Sequence, residues 1–205
     1  MKTKKFFEEY IKNFLEQNSK INLISKNDEE FLWEKHIYDS ISVEKFFDKY
    51  DILKTKQNET LKLLDIGTGG GFPSVPVALC YPQINVYALD SIRKKINSIE
   101  NIKNELKINN LFTICDRAEN LKEKFDLITC RAVAPLNKIS KYALPLLKDN
   151  GFFIAYKSKK TDTEIKDAKD ILKKHNAKIK DIIEYNLPLE ESHVRNLIII
   201  SKSQS

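Results

Sequence analysis

Leu64-Asp65-Ile66-Gly67-Thr68-Gly69-Gly70-Gly71-Phe72-Pro73 decides how the rest of this 205-residue chain is read. The sequence holds five glycines, and four of them, Gly67, Gly69, Gly70 and Gly71, fall within five residues. They directly follow an apolar run, 61–66, that reads as a strand. Glycines at a strand-to-helix turn admit positive φ and let a ligand approach the backbone amides. The start of the following helix adds unpaired N–H groups and a partial positive charge. Pro73 suits the first turn of that helix, where its missing N–H costs nothing. The stretch reads as a cradle for a nucleotide or a cofactor.

Spacing narrows the occupant. Phe72 stands where a dinucleotide fingerprint needs its third glycine, and no Lys-Ser/Thr follows to make a phosphate-binding P-loop. The pattern resembles the first motif of the Rossmann-like, S-adenosylmethionine-dependent methyltransferases. On that reading Gly67, Gly69 and Gly71 bring the backbone to the methionine end of the cofactor, and Asp65 lies near its ammonium. Asp90, nineteen residues after Gly71, ends a second strand where a carboxylate accepts both ribose hydroxyls. A helix cap, shared with Ser91, is the alternative for Asp90. Asp116-Arg117-Ala118-Glu119 follows a third strand, at the edge where an adenine ring would be gripped, or forms a solvated turn.

Outward from the loop, short apolar runs alternate with helix-length segments. The expected strands are 61–66, 84–89, 111–115, 125–130, 151–156, 178–185 and 194–200, and the expected helices 74–81, 91–107, 137–148 and 162–175. That alternation implies a doubly wound α/β domain, a seven-stranded, mostly parallel sheet with helices on both faces. Ligands then sit at the carboxyl ends of the strands. Before it, Phe6, Phe7, Tyr10, Phe14 and Leu15 recur at helical spacing, and a second helical pattern starts near Asp28 as N-cap. The expected organisation is a helical extension, residues 1–60, and a Rossmann-like domain, residues 61–205; the length leaves no room for two sizeable domains.

Composition excludes other classes. At 41% hydrophobic and 31% charged residues the chain can build a core, so wholesale disorder is not expected. No apolar run reaches the ~18 residues of a membrane span, and the N-terminus has no secretion signal. Cys80, Cys115 and Cys130 are an odd, widely spaced set, so neither disulfides nor a metal site is expected, and the compartment reads as cytoplasmic. The net charge of +6 is uneven: residues 61–160 carry 16 basic against 9 acidic side chains, while the flanks are near balance. That excess suits a polyanionic partner, or is an ordinary solvated surface.

Only four of the 35 basic residues are Arg: Arg93, Arg117, Arg131 and Arg195. In a Lys-rich chain an Arg suggests a forked contact with phosphate, carboxylate or a base edge. Arg131 ends the fourth strand, in Cys130-Arg131-Ala132-Val133-Ala134-Pro135, where methyltransferases of this fold face the transferable methyl. Arg117 lies beside the adenine edge. These two are the candidate catalytic residues. The chain lacks the Asn/Asp-Pro-Pro-aromatic motif of exocyclic-amine methylation and the Pro-Cys of carbon-5 methylation. A nucleophile that needs no general base suits such a site, and guanine N7 is one. Arg131 would then orient O6 or a phosphate and leave N7 free.

Taken together, the residues resemble the small-subunit ribosomal RNA guanine-N7 methyltransferases, also called glucose-inhibited division protein B. The matching pieces are Asn22-Leu-Ile-Ser25, His36-Ile-Tyr-Asp39-Ser40, Leu64 to Pro73, Leu89-Asp90-Ser91 with Arg93-Lys94-Lys95, Arg117-Ala118-Glu119, Arg131 to Ala134, Lys157 and Arg195. The resemblance implies that S-adenosylmethionine is held by Gly67, Phe72, Ala118, Glu119 and Arg131. It implies a guanine of 16S ribosomal RNA, met in the small subunit, as substrate, and a monomer is expected. Ser74 and Ser158 depart from glycines common in the family. Two alternatives remain: the same cofactor with another substrate, or an RNA-binding ribosome-assembly factor without turnover. His36 and Asp39, three apart, pair, dock the helical extension or reach substrate; a packing histidine is the bland reading.

Overall fold

In the computed structural model, residues 2–55, 60–158 and 161–203 are described. Most of the polar stretch 54–60, and Lys159 and Lys160, lie outside them. Seven strands form one sheet in the order β3-β2-β1-β4-β5-β7-β6. They are β1 Leu61–Ile66, β2 Ile84–Asp90, β3 Leu111–Cys115, β4 Phe125–Arg131, β5 Leu147–Ser158, β6 Ala177–Leu187 and β7 His193–Lys202. β7 runs antiparallel to both of its neighbours, and the other pairings are parallel. The order reverses between β1 and β4, so a crevice opens beyond their carboxyl ends.

Alternation along the strands sends side chains to two cores. Leu61 and Leu63 of β1 join one cluster with Val75, Val77, Ile96 and Ile99, from the helices Ser74–Cys80 and Arg93–Glu105. Leu64 and Ile66 join the other, with Leu136, Ile139 and Leu144 of the helix Leu136–Leu146 and Ala168 and Leu172 of Asp162–Lys174. The central parallel strands β1 and β4 are thereby dry on both faces, whereas the edge strand β6 leaves alternate residues to solvent.

The first core also takes in the N-terminal segment. Phe7, Tyr10 and Phe14 are fully or almost fully buried, and the Phe14 ring lies 5.0 Å from that of Phe72 in the glycine loop. Each such ring contributes about 1.5–3 kcal/mol by leaving water. The helix Glu8–Ile21 ends at Asn22, whose left-handed conformation turns the chain back. Buried Asn18 fastens this turn, accepting from the Ile24 amide at 2.8 Å and donating to Glu29 at 2.6 Å. Leu23 and Ile24 are thus held beside the glycine loop.

Two local expectations fail here. Asp28 is not an N-cap: the short helix Lys26–Glu29 begins after Ser25, whose hydroxyl donates to the Asp28 carboxylate at 2.7 Å. The helix expected beyond it is a π-helical stretch, Leu32–Tyr38, followed by Asp39–Ile41 and Glu44–Lys49. π-turns gather at functional sites because the extra residue re-aims side chains, and His36 lies on this one.

Candidate active site

The glycine loop closes a cavity of about 580 Å³ at the carboxyl ends of β1, β2 and β4. Gly67, Gly69 and Gly71 all have positive φ. A Cβ on Gly67 would stand 2.6 Å from Val133 Cγ2, so loop and the chain after β4 touch with no room for a side chain. The Gly67 and Thr68 amides donate to the Leu89 carbonyl, each at 2.9 Å, tying the loop to β2. Ser74 closes the loop from beneath, its hydroxyl 2.5 Å from that of Thr68. This is what the serine supplies in place of a glycine.

Gly67, Gly69, Phe72, Asp90, Arg117 and Arg131 line this cavity, and so do Ala118 and Glu119. Asp90 accepts from the Gly69 amide and the Ile92 amide, each at 2.9 Å. It therefore stiffens the loop as well as facing the cavity, and each carboxylate oxygen keeps a second lone pair for a hydroxyl. Ala118 is nearly buried while Arg117 and Glu119 are exposed, a tight turn with one side chain inward.

Two residues stand elsewhere than expected. Gly71 does not line the cavity; a Cβ there would meet Val75 at 2.7 Å, so its glycine serves helix packing. Asp65 is fully buried beneath the loop and does not line the cavity. Thr129 donates to its Oδ1 at 2.9 Å, Oδ2 has no partner among the described residues, and burial pushes the carboxyl up to about 6. Pro73 sits at the cap position before Ser74, not inside the first turn.

Arg131 is the hinge of the site. Its Nη1 donates to Asp39 Oδ2 at 3.0 Å and to the Lys35 carbonyl at 3.1 Å, and its Nη2 donates to His36 Nδ1 at 3.0 Å. Its guanidinium lies 5.2 Å from the Phe72 ring centre, within cation–π range. Tyr185, from β6, donates to the other Asp39 oxygen at 2.6 Å. Ala132 follows in a left-handed conformation, a strained backbone that turns the chain away from the strand end.

On the far side of Arg131 lies a second cavity of about 440 Å³, where His36, Asp39, Lys157, Glu164 and Arg195 converge. Arg131, His36 and Ala132 line both cavities. Lys157 is committed, its Nζ 2.7 Å from Glu164 and 2.8 Å from the Ala134 carbonyl. Arg195 is not: among the described residues its partner is the carbonyl of its own neighbour, Val194, at 3.4 Å. Burial and the adjacent Arg131 push the His36 ring down to about 4, so it is neutral. Arg93 opens its helix, exposed and outside both cavities.

Sequence reading missed Leu23, Ile24, Ile139 and Tyr142 on the cofactor side. Tyr142 and Ile139 lie one helical turn apart, which marks them as sharing a face but not which face. The exposed apolar side chains Ile92, Val133 and Tyr142 rim the cavity, flat surfaces suited to a ring. Among the described residues there is no cluster of metal-donor side chains, and no helix is long and apolar enough to cross a membrane.

Sheet order, switch-point crevice and glycine cradle define the Rossmann-like methyltransferases. The fold matches precorrin-6y C5,15-methyltransferase from Geobacter metallireducens at TM-score 0.54 and 18% identity, over 70% of this chain and 80% of that one. It matches M. jannaschii TYW2, solved with AdoMet, at TM-score 0.58 and 19% identity, over 76% of this chain and 75% of that one. Within that class, the family model for rRNA small subunit methyltransferase G, GidB, matches residues 3–194, and the chain belongs to this family. Ribosomal RNA small subunit methyltransferase G of Bacillus licheniformis is 37% identical over 202 residues, 96% of this chain and 81% of that protein. Its namesake in Bacillus subtilis is 35% identical over the same shares, and that of Listeria monocytogenes 33% identical over 98% and 83%.

Proposed function

We propose that this chain transfers the methyl group of S-adenosylmethionine to N7 of a guanine in 16S ribosomal RNA, alone or within the small subunit. The observation that carries the reading is Arg131, standing in the wall shared by a backbone-lined cavity and a charged one. The first cavity suits the cofactor. Its volume falls in the ligand range, Gly67 leaves the backbone open where a side chain would clash, Asp90 offers free lone pairs to ribose hydroxyls, and the Ala118 turn sits at the adenine end.

When bound, S-adenosylmethionine supplies an electrophilic methyl, so N7 gains carbon and a positive charge while the sulfur becomes a neutral thioether. No proton moves in that exchange. The site agrees: His36 is neutral with Nδ1 engaged by Arg131, and Asp65 is sealed beneath the loop, which leaves neither poised as a general base. The protein's part is to place the base, orient its O6 or phosphate with Arg131, and exclude water. N7 in an A-form groove is hard to reach, so the guanine is presented outside its stack. Arg117, exposed at the cavity rim, and the uncommitted Arg195 are suited to phosphate contacts. Residues 1–60 act as a helical extension that completes the site through His36 and Asp39.

The test is transfer of a labelled methyl group to small subunits lacking the modification, beside naked ribosomal RNA, followed by cleavage specific for N7-methylguanine. Label at one cleavable guanine is expected. Label on another class of molecule would favour a different substrate, and cofactor binding without transfer would favour an assembly factor.

A further inference from the structure

An arginine guanidinium carries five N–H groups, and the partners of Arg131 consume three of them. Nη1 spends both on Asp39 Oδ2 and the Lys35 carbonyl, and Nη2 spends one on His36 Nδ1. The Nε–H and one Nη2–H are left. Arginine can only donate, so His36 must accept at Nδ1, and its proton therefore resides on Nε2. That nitrogen is buried and has no partner among the described residues. Asp39 is itself fixed, with its second oxygen taken by Tyr185 and only 6% of its side chain exposed. The Tyr156 hydroxyl donates to the Ser40 carbonyl at 2.7 Å, fastening the same turn to β5.

We propose that Asp39 is the positioning residue of the methyl-transfer site: clamped by Tyr185, it locks the Arg131 guanidinium so that Nε–H and one Nη2–H face the acceptor base, with His36 completing the lock. The inference rests on the function proposed above. The π-helical turn and Asp39 meet the β4 guanidinium directly, and β6 reaches it through Tyr185 and Asp39, a convergence that surface arginines do not require. A guanidinium with all its donors free would rotate and lose the orientation on which rate depends, and a misplacement of about 1 Å costs on the order of 10²-fold.

The experiment compares Asp39→Asn, Tyr185→Phe, His36→Asn and His36→Leu with the unaltered chain, reading kcat and KM for cofactor and RNA at a temperature where all are folded. Asn at 39 keeps the shape but loses the charge that holds Nη1; Asn at 36 keeps an acceptor near Nδ1, and Leu does not. Expected is a kcat loss of about 10²-fold for Asp39→Asn and several-fold for Tyr185→Phe, with cofactor KM within about threefold. His36→Asn should retain clearly more activity than His36→Leu. Side-chain ¹⁵N NMR supplies a readout independent of turnover: one guanidinium with slow Nη rotation in the unaltered chain, mobile in Asp39→Asn. An unaltered chain that methylates no ribosomal RNA would fail the function while leaving that NMR signature to decide the lock. Unchanged kcat in folded variants, or a guanidinium equally mobile in both proteins, would overturn the positioning role.

Discussion

The two cavities flanking Arg131 are built on different principles. The cofactor side is shaped by backbone: the positive-φ glycines Gly67 and Gly69, amides tied to β2, and Asp90 accepting from the loop. The far side is shaped by charged side chains brought from the π-helical turn, β4, β5, β7 and the helix Asp162–Lys174. A backbone cradle recognises a small ligand whatever its surroundings. In the charged cavity Asp28, Asp39 and Glu164 pair with Lys35, Arg131 and Lys157, and among the described residues Arg195 is the lining cation left for an anionic group. The contrast fits a constant cofactor on one side and a ribosomal substrate on the other.

The most damaging change on the cofactor side is Gly67→Ala. It combines a positive φ with a Cβ 2.6 Å from Val133, so cofactor affinity should drop at least ~10-fold and stability by about 1–3 kcal/mol. Gly69→Ala shares the positive φ, but its Cβ would meet the Gly67 carbonyl at an ordinary 3.9 Å, so it should cost about 1 kcal/mol. Isothermal titration and urea unfolding of both check the order, and equal effects would mean that the contact with Val133 is irrelevant. On the far side, Arg131→Lys keeps the charge and loses the fork. Methyl transfer should fall on the order of 10²-fold, with the loss in kcat.

Acid stability separates two buried groups of opposite sign. Asp65 has a raised carboxyl, so the native state keeps a proton that the unfolded chain has released. Stability from this group falls as pH rises from about 4 to about 6, by roughly 2–3 kcal/mol. His36 is depressed, so the unfolded chain binds a proton that the native ring refuses. Its contribution is complete above about pH 6.5 and is lost as pH falls toward about 4, again by roughly 2–3 kcal/mol at most. The two nearly cancel in the unaltered chain. Asp65→Asn should therefore leave a protein that weakens toward acid, and His36→Asn one that strengthens, measured by urea unfolding between pH 4.5 and 7. Parallel slopes in the two variants would contradict both assignments.

The smallest expected effect tests the outer surface. Lys94 and Lys95 open the helix after β2, and Lys95 lines the cofactor cavity. If they touch RNA backbone, replacing either with Ala lowers the slope of log affinity against log salt by about 1, and replacing Lys94, which stands outside the cofactor cavity, leaves cofactor binding untouched. An unchanged slope would make them ordinary solvated lysines.

The same contrast explains what the sequence disclosed. The glycine cradle was legible because its chemistry is local: strand, turn and helix are consecutive, and Gly67, Gly69 and Asp90 fall where the spacing puts them. Strand β1 was read to the residue, whereas β5 begins four residues before the expected Gly151 because Leu147 still pairs with Phe125 across an irregular register. Gly71 and Asp65 stand off the cavity wall, and proximity in sequence does not say which side of the loop a residue faces. The far cavity was hardly legible. His36 and Asp39 announced a shared helix face, but their partner lies in β4, more than ninety residues away, and Tyr185 carries no motif at all. The π-helical turn that aims them has no periodic signature.

The most direct measurement is a structure with bound S-adenosylmethionine, which fixes where the reactive methyl points. The expected result is the adenine end at Ala118, the ribose at Asp90, and the methyl at the boundary beside Arg131, open to the cavity of Arg195. A cofactor seated with its methyl away from Arg131, or bound outside the glycine cradle, would contradict the division of labour between the two cavities.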